Sequence, residues 1–131
     1  MILVDTTVWI DFFRGTDTRF GKTLHALLDQ EEDLCLTGIH LTEILQGIRD
    51  DFSQRRIRRR LLSFPIYQPK GVSTYLHAAD IYRNCRKKGK TVRKTVDCII
   101  AAIAIENNLR LFHNDRDFNQ IARFTRLRIF S

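Results

Sequence analysis

Short apolar runs alternate with longer segments of helical periodicity along the whole chain. Ile2-Leu3-Val4 is wholly apolar, as expected of a strand that is buried on both faces. Similar runs predict strands at 34–36, 66–67, 109–112 and 127–130. Helical spacing of apolar residues predicts helices over 7–14, 20–30, 39–48, 52–62, 72–88, 94–107 and 117–122. This alternation predicts a parallel sheet with helices on both faces.

The length and composition favour one soluble domain. A chain of 131 residues has the usual length of a single domain, so we expect one domain over residues 1–131. No stretch approaches the roughly 18–20 apolar residues that span a bilayer, and Asp5 interrupts the apolar start, unlike a secretory signal. The chain has three cysteines, Cys35, Cys85 and Cys98, and no two of them form a CxxC pair. An odd number does not suit a disulfide framework. We therefore expect a protein of the reducing cytoplasm.

The charge balance points to a polyanionic partner. Lys and Arg total 22 against 15 acidic residues, a formal net charge of +7, and such a field attracts nucleic acid. One basic segment, Arg55–Arg60, lies on a predicted exposed helix and could equally contact an acidic protein. The other leads directly into Asp97, so it could place a phosphate there. Its candidate RNA-binding residues are Arg86, Lys87, Lys88, Arg93 and Lys94.

Four acidic residues are candidates for a shared site, because parallel sheets bind ligands at the carboxyl ends of their strands. Asp5 directly follows the first predicted strand, and Asp115 closely follows the fourth. Structural roles are also open: Asp5 as a helix N-cap, Asp97 as a first-turn acid and Asp115 as a turn residue. Glu43 lies opposite the apolar stripe of its helix, so it faces solvent or a cleft.

Asp97 is the least easily explained as a structural residue. It opens a helix that is apolar nearly all round, and the small Ala101 and Ala104 on its face let other elements pack close to it. A carboxylate near a core rarely stays charged without a partner. Converging carboxylates raise one another's pKa values. Mg²⁺ or Mn²⁺ would relieve that repulsion and could activate water for attack on a phosphodiester.

Four short motifs occur in the order and spacing of a known nuclease family. They are Ile2-Leu3-Val4-Asp5-Thr6-Thr7-Val8-Trp9, Thr42-Glu43-Ile44, Thr95-Val96-Asp97-Cys98-Ile99-Ile100-Ala101-Ala102 and Asn114-Asp115-Arg116-Asp117-Phe118. With these motifs the chain resembles, over its whole length, the PIN-domain nucleases, and specifically the VapC toxins of toxin–antitoxin pairs.

The resemblance implies a PIN-like three-layer α/β/α fold with a parallel sheet of about five strands in the order 3-2-1-4-5. It also implies Mg²⁺- or Mn²⁺-dependent endoribonuclease activity, an RNA substrate and inhibition by a co-expressed VapB-like antitoxin. Family members commonly form homodimers, so a homodimer is expected.

The resemblance also assigns roles by position. Asp5, Glu43 and Asp97 correspond to the acids of the metal pocket, and Thr7 corresponds to a hydroxyl residue that supports the first of them. Asp115 and Asp117 both fit the fourth acid. We favour Asp115, which is closer to the strand end, and interpret Asp117 as a cap of the following helix.

Other functions fit the residues less well. A haloacid-dehalogenase-type phosphotransferase needs a second Asp two residues after the first, where Thr7 stands, and no GxxxxGK[ST] motif of a P-loop enzyme occurs. A PIN nuclease of RNA processing and a catalytically weak nucleic-acid-binding PIN module remain as alternatives. The compact chain favours the toxin over the RNA-processing nuclease. The presence of all four acids argues against the catalytically weak binding module.

The histidines show no zinc-ligand spacing. They are His25, His40, His77 and His113. His113 lies two residues before Asp115, and we expect it to be packed or hydrogen-bonded rather than catalytic.

Overall fold

The computed structural model describes residues 1–15 and 17–131. Its strands are β1 (Ile2–Val4), β2 (Leu34–Thr37), β3 (Ile66–Tyr67), β4 (Arg110–Phe112) and β5 (Arg128–Ile129). The helices of these described residues are α1 (Thr6–Phe13), α2 (Arg19–Asp29), α3 (Gly38–Gln46), α4 (Asp51–Leu61), α5 (Val72–Lys87), α6 (Thr95–Glu106) and α7 (Arg116–Phe124).

The strands form one parallel sheet in the order β3-β2-β1-β4-β5, which confirms the predicted order. The apolar β1 lies at its centre, where Ile2 is in register with Leu34 of β2 and Leu3 with Leu111 of β4. Because successive side chains of a strand point to opposite faces, Leu3 packs into one core and its neighbours Ile2 and Val4 into the other.

Each face of the sheet is covered by its own set of helices. The core around Leu3 is filled from α5, α6 and α7, for example by Ile81, Ala102 and Phe118. The opposite core is filled from α1 to α4, with Trp9 fully buried at its centre. The predicted three-layer α/β/α arrangement is therefore confirmed.

Element boundaries differ from the predictions by one or two residues for local reasons. Helix α1 begins at Thr6 because the preceding Asp5 accepts a hydrogen bond as its N-cap. Helix α3 ends at Gln46, before the predicted residue 48, with Gly47 as its C-cap. Helix α7 runs from Arg116 to Phe124, longer at both ends than predicted.

No helix among the described residues is long and apolar enough to cross a bilayer.

Candidate active site

Three helices begin at one edge of the sheet, beyond the carboxyl ends of β1 and β4. Asp5 caps α1 and Asp115 caps α7, while Asp97 lies in the first turn of α6. Strands β1 and β4 are direct neighbours, and the backbone N–H of Asp5 donates to the Phe112 carbonyl at 2.9 Å. The positive ends of three helix dipoles therefore meet at this edge and favour negative charge there.

Asp5 is buried, and both oxygens of its carboxylate form hydrogen bonds. Its Oδ2 accepts from the hydroxyl of Thr7 at 2.7 Å and from the Thr7 backbone N–H at 3.2 Å. Its Oδ1 lies 2.8 Å from Nε2 of His40. Burial alone would raise the pKa of Asp5, but the hydrogen bond and electrostatic attraction of His40, together with the hydrogen bonds of Thr7, lower it. The lowered pKa favours the ionised carboxylate, and Asp5 both caps α1 and acts electrostatically on Asp97.

Thr7 joins the two strand ends. The same hydroxyl that donates to Asp5 accepts the backbone N–H of Asn114 at 2.9 Å. The loop after β4, which carries Asp115, is thereby fixed to the start of α1. The structure thus contains the supporting contact that the sequence predicts for Thr7.

His40 is the positioning residue that the sequence interpretation missed. Its ring is fully buried, and its Nδ1 accepts the backbone N–H of Thr37 at 3.2 Å. Since Nδ1 is an acceptor, the ring proton lies on Nε2 and is donated to Asp5. A signal was present: His40 occupies the third position after the N-cap Thr37, where a capping-box side chain reaches back to the cap.

Glu43 lies on the same face of α3 as His40, one turn further along. It is half-buried, and its Oε1 accepts the hydroxyl of Thr6 at 2.9 Å. It also lines a groove between α1, α3 and α4, which settles its predicted position in favour of a cleft. Glu43 is thus tied to the site through Thr6, the neighbour of Asp5, and not through a direct contact with the other acids.

Asp97 is buried, with 6% of its surface exposed, and lacks the hydrogen bonds that Asp5 has. Among the described residues, no group partners its buried Oδ2. Burial, followed by the charges of Asp115 and Asp5, raises the pKa of Asp97 to about 7, against a smaller opposing effect of Lys94. The fold therefore holds a carboxylate where ionisation is unfavourable unless a cation arrives.

The prediction that Asp117 caps α7 is wrong. The backbone N–H of Asp117 donates to Oδ1 of Asp115 at 3.0 Å, so Asp115 is the cap. An Asp reaches the free N–H groups of a helix from the residue before its first turn, and that residue is Asp115. Asp117 instead accepts from the backbone N–H and Nε of Arg93 at 3.2 and 3.0 Å.

The predicted RNA-binding residues separate into two groups. Arg93 bridges Asp117 and Asp115, with Nη2 3.2 Å from Asp115, although 59% of its side chain is exposed. Lys94 acts electrostatically on Asp97. The remaining three lie at the end of α5, with Lys88 as its C-cap, and Arg86 covers the ring of Tyr82. Lys87 and Lys88 line a separate recess together with Arg123 and Arg126.

The donor set suits a hard divalent cation. In the described part of the chain, no group of three or more His, Cys, Asp or Glu side chains is arranged so that it could hold a metal ion. Mg²⁺, however, usually binds one or two carboxylates and keeps several waters. The unpartnered oxygen of Asp97, next to the charges of Asp5 and Asp115, meets that requirement.

Asp5, Asp97 and Asp115 form the acidic edge of the sheet, and this edge together with the strand order is typical of a PIN domain. The sequence profile of the PIN domain matches residues 2–124. Two curated relatives, ribonuclease VapC11 of Mycobacterium tuberculosis and a VapC ribonuclease of Mycobacterium bovis, are each 36% identical over 132 residues, which cover 100% of this chain and 98% of the relative. The chain belongs to the VapC ribonuclease family of PIN-domain proteins, which confirms the resemblance seen in the sequence.

Solved structures agree on the fold. VapBC-1 from nontypeable Haemophilus influenzae superposes with a TM-score of 0.76 at 21% identity, over 100% of this chain and 98% of that one. VapBC2 from Rickettsia felis, bound to a DNA fragment from its promoter, gives 0.75 at 18% identity, over 99% and 98%.

The raised pKa of Asp97 predicts how stability depends on pH. Between the unfolded pKa near 4 and the folded pKa of about 7, the folded state binds the extra proton, so stability falls as pH rises through this window. As the pH rises from 4 to 8 in EDTA, we expect the free energy of unfolding of Asp97→Asn to increase by about 2–4 kcal/mol relative to that of the wild type, measured by urea unfolding.

The matched control is Asp33→Asn, which changes an exposed aspartate before β2. The free energy of unfolding of Asp33→Asn should differ from that of the wild type by the same amount at every pH. A constant difference for Asp97→Asn as well would contradict the unfavourable ionisation of Asp97.

Proposed function

We propose that the protein is a metal-dependent endoribonuclease that hydrolyses RNA phosphodiester bonds at the acidic edge and acts as the toxin of a VapBC-type pair. The observation that carries this proposal is Asp97, a buried carboxylate with an unpartnered oxygen beside the charges of Asp5 and Asp115. The mycobacterial relatives are named ribonucleases, and the net charge of +7 suits a polyanionic substrate.

Asp97, Asp5 and Asp115 would hold Mg²⁺ or Mn²⁺, with Glu43 as the further acid of the pocket. When bound, the metal supplies an activated water and neutralises charge that develops on the phosphate. This assignment gives the raised pKa of Asp97 a use, because a cation stabilises the ionised form that burial opposes.

Residues of the chain itself prepare this site. His40 and Thr7 orient Asp5 and favour its ionised form. Arg93 fixes Asp115 and Asp117 and so holds the start of α7 in place. Lys94, which precedes Asp97 by one helical turn, places positive charge where a substrate phosphate would arrive.

Cleavage of mixed cellular RNA tests the proposal. With Mg²⁺ or Mn²⁺, we expect the wild type to cut RNA, and Asp5→Asn and Asp97→Asn each to cut at least about a hundredfold more slowly, since each removes a charged oxygen from the metal. Rates are measured from the appearance of new RNA ends. Asp33→Asn is the control and should retain the wild-type rate.

The same assay distinguishes Asp115 from Asp117 as the fourth acid. We expect Asp115→Asn to slow cleavage strongly. Asp117→Asn should slow cleavage less, because Asp117 would affect the site only by positioning Arg93. Equal rates for the wild type, Asp5→Asn and Asp97→Asn would refute the acidic site. If nothing cuts RNA under any metal condition, the binding-module alternative is favoured.

A VapB-like antitoxin would bind beside Glu43. The groove between α1, α3 and α4 has a volume of about 610 Å³. Its floor is apolar, with Phe13, Ile44 and Ile57, whereas Arg56 and Arg59 stand on its rim. An amphipathic segment with acidic residues complements such a surface. Solved relatives of this fold are toxin–antitoxin complexes.

Charge reversal on helix α4 tests this surface. We expect Arg56→Glu with Arg59→Glu to weaken binding of the protein encoded by the adjacent upstream reading frame at least about tenfold, because two rim charges become repulsive. Affinity is measured by isothermal titration at two salt concentrations.

The matched control is Arg55→Glu with Arg58→Glu, which makes the same charge change away from the groove. Equal weakening by both pairs would indicate only a general charge effect and contradict the groove. Absence of any small upstream reading frame would favour the RNA-processing alternative.

A further inference from the structure

A second recess adjoins the acidic edge at Asp115. It has a volume of about 470 Å³, within the usual range of roughly 300–1,000 Å³ for ligand sites. It lies between the start of α2, the ends of β4 and β5, and the first turns of α7. Asp115 belongs to its wall, so a ligand in the recess would lie directly beside the proposed cleavage site.

The apolar part of the recess is aromatic. Phe112, at the end of β4, is buried beneath it. The rings of Phe20 and Phe130 pack against Phe112, with centroids 6.2 and 5.1 Å away, and both remain only half-buried. Partly open aromatic rings are the surfaces on which unstacked bases pack in complexes with single-stranded RNA.

The polar part of the recess consists of amides and cations. Asn114 and Asn119 are exposed at its mouth, and each side-chain amide has both donors and an acceptor, as needed to read a base edge. Arg116 and Arg19 are also exposed there, and the guanidinium of Arg19 lies 5.0 Å from the centroid of the Phe20 ring. Guanidinium groups suit the flanking phosphates.

His113 connects the recess with the acidic edge. Its Nδ1 accepts the backbone N–H of Asp115 at 2.9 Å, and its ring packs on Phe118 with centroids 5.2 Å apart. The side chain of Asn119 lies beside the buried ring, whose Nε2 lacks a well-aligned partner among the described residues. A ligand that binds Asn119 would therefore lie next to His113, whose ring accepts the backbone N–H of Asp115.

We infer that this recess binds one nucleobase of a single-stranded RNA, next to the phosphate that is cut, and so selects the sequence at the cleavage site. The inference rests on the proposed function for its substrate class. Aromatic rings, amides and guanidinium groups around one cavity match a base with its phosphates. The apolar groove between α1, α3 and α4 suits the antitoxin segment, whereas the amides, guanidinium groups and aromatic rings of the recess favour the base.

Binding to short homopolymers tests the recess without cleavage. In EDTA, we expect the full chain to bind one of the tetramers rA4, rC4, rG4 and rU4 at least about fivefold more tightly than the weakest. The side-chain amide NMR signals of Asn114 and Asn119 should shift on binding. Asn119→Ala and Phe20→Leu should bring the affinity ratio towards one, whereas Asn84→Ala, an exposed asparagine outside the recess, should preserve it.

Mapping of cut sites in mixed RNA is the second measurement. We expect the wild type to favour one base beside the cut, and Asn119→Ala to lose that preference. Equal affinity for all four tetramers, or an unchanged preference in both recess variants, would overturn the inference. So would a loss of antitoxin binding by Asn119→Ala with the base preference intact, which would indicate a protein-docking surface.

The two measurements separate the recess from the proposed function. Discrimination among the tetramers without any cleavage would support the recess and refute the nuclease. Cleavage with random cut sites and equal tetramer affinities would support the nuclease and refute the recess.

Discussion

The repulsion among Asp5, Asp97 and Asp115 is the constraint on which the candidate site depends. Parallel pairing of β1 with β4 brings the residues that follow these strands to one edge, and the buried start of α6 adds a third carboxylate. Burial and these two charges raise the pKa of Asp97 to about 7. A fold gains no stability from such a group, and the proposed metal would give it a function.

The acids at this edge are held in different ways, and the difference supports the roles proposed for them. Asp5 receives donors from His40 and Thr7, which keep its carboxylate charged and oriented. Asp117 is neutralised by Arg93. Among the described acidic residues, only Asp97 combines burial with an unpartnered oxygen. A charged, oriented acid beside an unpartnered one is the arrangement that an incoming divalent ion completes.

Much of the fold could be predicted from the periodicity of apolar residues. The wholly apolar β1 has side chains in two cores, and α6 is buried nearly all round, as their sequences indicate. The order of the sheet came from the family resemblance and was confirmed. His40 was missed because its partner Asp5 is 35 residues away, and helical spacing shows a face but not what lies opposite it. The role of Asp117 was misjudged because its ion pair with Arg93 spans 24 residues and leaves no local pattern.

Proton release on Mn²⁺ binding tests the central claim most directly, because a carboxyl with a pKa of about 7 must lose its proton to become a ligand. Isothermal titrations at pH 6, in two buffers of different ionisation enthalpy, measure the number of protons released. We predict about one proton for the wild type and for Asp117→Asn, and none for Asp97→Asn, which should also bind Mn²⁺ more weakly. Equal affinity and equal proton release for the wild type and Asp97→Asn would contradict the claim that Asp97 and its neighbours hold the metal.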